Sequence, residues 1–316
     1  MLSRLNKAIV SLGSGLAVFF VLCCNLAEIQ AQPPYVINSD EMLEFDSSTI
    51  FCQNGLVDGS GKMYGLLVGV NQPNDDFTEL KGPSEEIKNL ARFLKKQQYI
   101  VKTLVNEAAT KPAILSWLAA IMSKTNSEDR ILFYYTGHAS TLKDLAGNLD
   151  PNLQLKSQDT LATTFFLLPY QKQEQDLKEI ISMREIVELL NLKQDSSFIR
   201  QRVLILDACY GGYFVNVSPL TCNMFDNEMP PDGFYALTSL KAEIYDGQYG
   251  PIILEGLRGG ADCILSGNEN GIVSLFELTP YLEHEVKRKF GVPRGEKYSS
   301  RYIFVGSGEV ALTLAK

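Results

Sequence analysis

From residue 63 onward, short apolar runs alternate with stretches in which apolar residues recur every three or four positions. Residues 64–70 (Tyr64-Gly-Leu-Leu-Val-Gly-Val70) are a continuous apolar run, the pattern of a strand covered on both faces of a parallel sheet. The spacing then predicts a helix from Pro83, with Glu85 and Glu86 near its positive end and Ile87, Leu90, Ala91 and Leu94 on one face. A second strand is expected over 100–105. Thr110 can cap the next helix, whose stripe is Ile114, Trp117, Leu118, Ile121 and Met122. Residues 131–135 read as a third strand ending at Thr136-Gly137-His138. A polar stretch from Ala139 to about Thr163 breaks the rhythm, and residues 165–169 return to the core as a short extended piece. Ser182-Met-Arg-Glu185 is a capping box opening a helix that buries Ile186, Leu189 and Leu190.

Residues 203–206 predict a fourth core strand, ending at Asp207-Ala208-Cys209. Later come a strand near 234–237, a helix around 252–257 stopped by Gly259-Gly260, a helix from Ser274-Leu-Phe-Glu277 and a last strand at 302–305. Strands alternating with helices imply right-handed crossovers and an α/β fold with a mostly parallel, doubly wound sheet.

Residues 1–31 read as an address. Arg4 and Lys7 precede an uncharged stretch from Ala8 to Ala27, and Ile29-Gln30-Ala31 offers a small residue before a cut. The stretch is also just long enough for a membrane anchor. Gly13, Ser14, Gly15 and Asn25 weaken it as a span, so a cleaved signal peptide is favoured; both readings export the rest of the chain. Membrane contact is expected only if this segment stays uncut. Residues 32–62 are polar and turn-rich and read as a linker, leaving 63–316 as one domain.

Composition narrows the partners. The 316-residue chain is 45% hydrophobic and 21% charged, ordinary globular values, and its formal net charge of -8 excludes the basic footprint of a nucleic-acid binder. Of six cysteines, Cys23 and Cys24 lie in the leader; Cys52, Cys209, Cys222 and Cys263 are too few and too irregular for a disulfide scaffold, and no paired spacing suggests zinc. No cofactor or metal is expected.

His138 and Cys209 occupy equivalent places, each just past the carboxyl end of an apolar strand, where open α/β sheets bind ligands. Adjacent strands lie about 4.8 Å apart, so residues beyond their ends can bring a thiol and an imidazole together. The imidazole takes the proton and the ion pair stabilises the thiolate, which is the nucleophile. Either residue alone is more often a structural one. The chain has only two histidines, however, and the other, His284, sits among Glu283, Glu285, Lys287 and Arg288 on what reads as a solvated helix face.

Tyr134-Tyr-Thr-Gly-His138 followed by Asp207-Ala-Cys-Tyr-Gly-Gly212 resembles the paired signature of the caspase-like cysteine peptidases, the branch with metacaspases and bacterial caspase-domain proteins. Residues 64–71, 165–169, 255–262 and 270–278 resemble that family's first strand, intermediate segment and late helices, so the likeness runs over about 63–316. It implies a three-layer caspase-like sandwich, with helices on both faces of the sheet, and a cysteine endopeptidase acting on polypeptides. His138 would be the base and Cys209 the nucleophile, with the backbone N–H groups of Ala139 and Cys209 forming the oxyanion hole. Asp207 matches the acid that receives a basic P1 side chain, the residue before the cut bond. It can equally satisfy backbone N–H groups at the strand end.

Three departures stand out. Ala139 replaces the usual glycine and would be strained if that position needs a positive φ. Gln171 stands where metacaspase-like members often carry Asp, which argues against calcium activation. Gly211 replaces the commoner serine. The alternative is a caspase-like interaction module, catalytically weak or inactive, favoured by Ala139 and Gln171. A flavodoxin-like nucleotide binder is disfavoured because residues 71–76 lack the glycines of a phosphate cradle.

Overall fold

The computed structural model describes residues 61–141, 165–171, 179–192, 199–208, 233–239, 249–263, 267–290, 300–305 and 311–314. The leader (1–31), nearly all of the expected linker, Gly211 and Cys209 lie outside these residues. Among them, the continuous apolar runs form a six-stranded sheet in the order β10-β8-β7-β3-β1-β2. Its strands are β1 (Met63–Gly69), β2 (Tyr99–Val105), β3 (Arg130–Gly137), β7 (Gln201–Ala208), β8 (Phe234–Ser239) and β10 (Ser300–Val305). All neighbours are parallel except β10, which runs antiparallel to β8.

Strands covered on both faces need helices on both sides, and the core divides accordingly. On one face α2 (Lys111–Met122) and α3 (Met183–Leu190) bury Ile114, Leu118, Ile186 and Leu190 against Leu66, Phe133, Tyr135 and Leu204. On the other, α1 (Pro83–Lys96), α4 (Tyr249–Glu255) and α5 (Leu275–Phe290) bury Ile87, Leu90, Ile253 and Leu278 against Leu67, Tyr134, Ile205 and Leu237. The result is a three-layer α/β sandwich.

Local chemistry sets where the helices begin. Thr110 Oγ1 accepts from Ala113 N at the head of α2. Ser182 and Glu185 form the reciprocal capping box of α3. Ser274 and Glu277 repeat that exchange at the head of α5, with Ser274 N donating to Glu277 Oε2 at 2.9 Å.

The structure departs from the sequence reading in four places. The polar stretch does not begin at Ala139: Ala139–Thr141 is a buried strand, β4, pairing antiparallel with β5 (Phe165–Leu167), which pairs with β6 (Ile181–Ser182). Three residues are too few for a periodic signal. Gly259-Gly260 does not end the fourth helix. A π turn over Gly256–Gly260 kinks at Gly259 (φ 113°) and leads into a further helical turn, Ala261–Cys263. A Cβ on Gly256 would come within 2.6 Å of Leu278, so the glycine permits close approach of α5. A strand beyond the expected last one, β11 (Ala311–Leu314), pairs with β9 (Ile272–Ser274). The helix face around His284 is not wholly solvated: His284 is exposed, but Glu285 is buried and bound by Arg288.

Candidate active site

β3 and β7 are parallel neighbours, paired Thr136 to Asp207 and Gly137 to Ala208. The chain therefore leaves both strands at one level of the sheet crest, and His138 is the first residue past Gly137. Cys209 is the residue after Ala208; its own position lies outside the described residues.

His138 is anchored from the far side. Its Nε2 lies 2.8 Å from the Thr78 carbonyl oxygen, and the Phe77 ring sits beside it, centroids 5.3 Å apart and tilted by 50°. A carbonyl only accepts, so Nε2 carries the hydrogen and the neutral ring keeps its acceptor lone pair on Nδ1. The loop that delivers Thr78 is stitched by its own polar residues. Asn71 Oδ1 accepts from Ser84 N, Asn71 O accepts from Leu80 N, and Gln72 Nε2 donates to Phe77 O. Thus the glycine-poor loop after β1 holds a histidine. Gln171 is buried against the same loop, its backbone N donating to Pro73 O at 2.7 Å.

The peptide between His138 and Ala139 is also fixed. His138 O accepts from Leu168 N at 3.1 Å, and the Tyr135 hydroxyl lies 2.8 Å from it. Because 138 and 168 form the hydrogen-bonded pair, Ala139 and Leu167 form the adjacent pair whose backbone groups turn away from each other. The Ala139 N–H therefore points away from β5, off the outer edge of the small sheet. The strain expected at Ala139 does not arise. Ala139 lies in a strand, outside the positive-φ residues, and the positive φ belongs to Gly137 (150°).

On the face covered by α1, alternation along the strands places Tyr134, Thr136 and Asp207 side by side. Glu86, from the first turn of α1, reaches into this group. Its carboxylate accepts from the Tyr134 hydroxyl and lies 3.5 Å from the Thr136 hydroxyl. A Cβ on Gly250 would overlap that carboxylate, so α4 closes over it. Burial pushes the Tyr134 phenol well above its ordinary range, and the Glu86 and Asp207 charges push it further. Asp207 is thus one of two carboxylates around a buried phenol. Sequence reasoning placed Glu86 only as a favourable charge at a helix start; its role follows from strand register, which the sequence does not display.

The site is thus a mostly parallel α/β sandwich with an imidazole tethered at its crest and two carboxylates on the α1-covered face of β3 and β7. The family model described as the caspase domain matches residues 63–278, and the chain belongs to that caspase-domain family of peptidases. The chain is 31% identical over 101 residues to Metacaspase-1 of Meyerozyma guilliermondii, an alignment covering 29% of this chain and 24% of that protein. The match thus spans about a quarter of that relative's length. Among solved structures, caspase-1 of Spodoptera frugiperda superposes with TM-score 0.52 at 10% identity, covering 82% of this chain and 92% of that one. A protein of Geobacter sulfurreducens gives TM-score 0.52 at 12% identity, covering 81% of this chain and 100% of that one. These two likenesses establish the fold.

Proposed function

We propose that the chain is a cysteine endopeptidase that cuts polypeptides after Arg or Lys, with Cys209 as nucleophile and His138 as base. The observation that supports the reading is that β3 and β7 end at the register-matched residues Gly137 and Ala208, which His138 and Cys209 follow in the sequence. His138 Nδ1 takes the Cys209 thiol proton, and the thiolate attacks the scissile carbonyl carbon. The resulting oxyanion is met by the Ala139 and Cys209 N–H groups. Collapse breaks the C–N bond, leaves a thioester, and the imidazolium gives its proton to the departing amine. Water, deprotonated by His138, then hydrolyses the thioester and restores the thiol. Side chains supply both nucleophile and base, so this chemistry calls for no metal or cofactor, and Gln171 in place of an acid argues against calcium activation.

Asp207 and Glu86 support the basic P1 preference, since two carboxylates on one face beside the crest favour a cation. Read as an export signal, residues 1–31 support an activity outside the cytoplasm, tethered only if that segment remains. Turnover of fluorogenic peptides with Arg, Lys or Asp at P1, beside a Cys209→Ala control, tests the reading. Cleavage of the Arg and Lys substrates that vanishes in the control is expected; substantial residual cleavage in Cys209→Ala overturns it.

A further inference from the structure

Tyr135 is buried on the α2–α3 side of β3, three residues before the proposed base. Acyl transfer by a thiol and an imidazole does not itself require a phenol there, and an apolar ring would fill the same space. The hydroxyl, however, lies 2.8 Å from His138 O and 2.8 Å from Leu168 O. Those two carbonyls flank the β4–β5 ladder, one just before β4 and the other just after β5. The phenol thus bridges the two chains where they meet the crest. Gly137 leaves the room for it, because a Cβ there would stand 3.2 Å from the Tyr135 hydroxyl and 2.9 Å from Val70 O.

A trans peptide is planar and holds its C=O and N–H in opposite directions. Whatever orients the His138 carbonyl therefore orients the Ala139 N–H. Leu168 N donates to that carbonyl, and the Tyr135 hydroxyl, whose single hydrogen is shared between His138 O and Leu168 O, is the second donor within reach. The Ala139 N–H is left pointing away from β5. We propose that Tyr135 is a positioning residue whose hydroxyl fixes the His138–Ala139 peptide plane and so aims the Ala139 N–H at the developing oxyanion. The proposal rests on the peptidase reading above.

Tyr135→Phe keeps the ring and its packing and removes only the hydroxyl, with Leu168 N still in place. Losing an oxyanion donor outright costs about 10²–10³ in kcat. A donor that stays but is less firmly aimed should cost roughly tenfold in kcat with little change in KM. Two probes separate this from a general structural effect. Alkylation of Cys209 by iodoacetamide needs the thiolate but creates no oxyanion. A peptide aldehyde with Arg at P1 adds the thiol across its carbonyl and places an oxygen in the hole. Tyr135→Phe should alkylate at the wild-type rate with the wild-type pH profile, while its aldehyde inhibition constant rises about tenfold together with the loss in kcat. Unchanged kcat and aldehyde affinity overturn the proposal. So does an alkylation rate that falls as far as kcat, because the hydroxyl would then act on the Cys–His pair or on folding. The wild-type arm is read first: no turnover and no selective alkylation of Cys209 would refute the peptidase reading itself, and the proposal with it.

Discussion

Replacing Glu86 by Gln keeps the shape of the side chain, an oxygen to accept from the Tyr134 hydroxyl and an amide nitrogen to donate to the Thr136 hydroxyl, and removes one negative charge. If a P1 cation is held between Glu86 and Asp207, the lost interaction follows from Coulomb's law. Unit charges about 4 Å apart interact by about 4 kcal/mol at an effective dielectric of 20. Glu86 is only half-buried, and Asp207 remains, so about half of that should survive as a net effect, roughly 2 kcal/mol or about 30-fold in kcat/KM. Steady-state kinetics on matched fluorogenic peptides with Arg, Lys or norleucine at P1 measures it. The Arg and Lys substrates should lose about 30-fold, and the norleucine substrate less than about threefold. Asp207→Asn should behave alike. The double variant should lose at least the product of the two, since each single variant leaves one carboxylate to hold the cation. An equal loss across all three substrates would refute the reasoning and make Glu86 a prop for Tyr134.

Three further outcomes are expected. Lys111 is buried, with Nζ 2.9 Å from Glu185 Oε1 and 2.9 Å from Ile180 O, so Lys111→Met should cost roughly 2–4 kcal/mol in urea unfolding; a loss under about 1 kcal/mol would contradict it. Burial pushes Tyr99 up to about 12, Tyr281 likewise, and Tyr134 well above its ordinary range. A phenol whose pKa is raised by folding contributes fully below pH 10 and loses that contribution as pH climbs towards 12. Of the chain's 14 tyrosines, the share of tyrosinate absorbance that belongs to these three should therefore appear together with the loss of circular dichroism across that window, and complete ionisation of all tyrosines near pH 10 without unfolding would contradict it. Finally, residues 213–234 contain no Lys or Arg, so an enzyme cutting after basic residues cannot nick itself there. The chain should be active without cleavage in that stretch, any Cys209-dependent cuts found by mass spectrometry should fall between Lys143 and Lys178, and Cys209-dependent cuts after Asp226 or Asp232 would overturn the P1 assignment.

The elements that came through in the sequence are those with a local cause. Continuous apolar runs marked β1, β3 and β7, and the reciprocal Ser182–Glu185 pair marked the start of α3. What stayed hidden depends on partners far away in the chain. Thr78 contributes a backbone carbonyl, a group every residue owns, so nothing in its side chain announces contact with His138 sixty residues on. The Glu86 carboxylate meets Thr136 fifty residues away only because α1 crosses that face of β3. β4 is buried and real, but with three residues it carries no period. The doubt about Ala139 came from a residue preference without a φ; the ladder puts that residue in a strand and the positive φ at Gly137.

The central claim, that Cys209 and His138 work as a nucleophile and its base, is tested most directly by trapping. A peptidyl chloromethyl ketone with Arg at P1, followed by peptide mapping, reports which thiol attacks. The account predicts one adduct, on Cys209, with Cys52, Cys222 and Cys263 unmodified and the reaction abolished in His138→Ala. Modification spread over the cysteines, or an adduct on Cys209 that forms equally fast without His138, would contradict it.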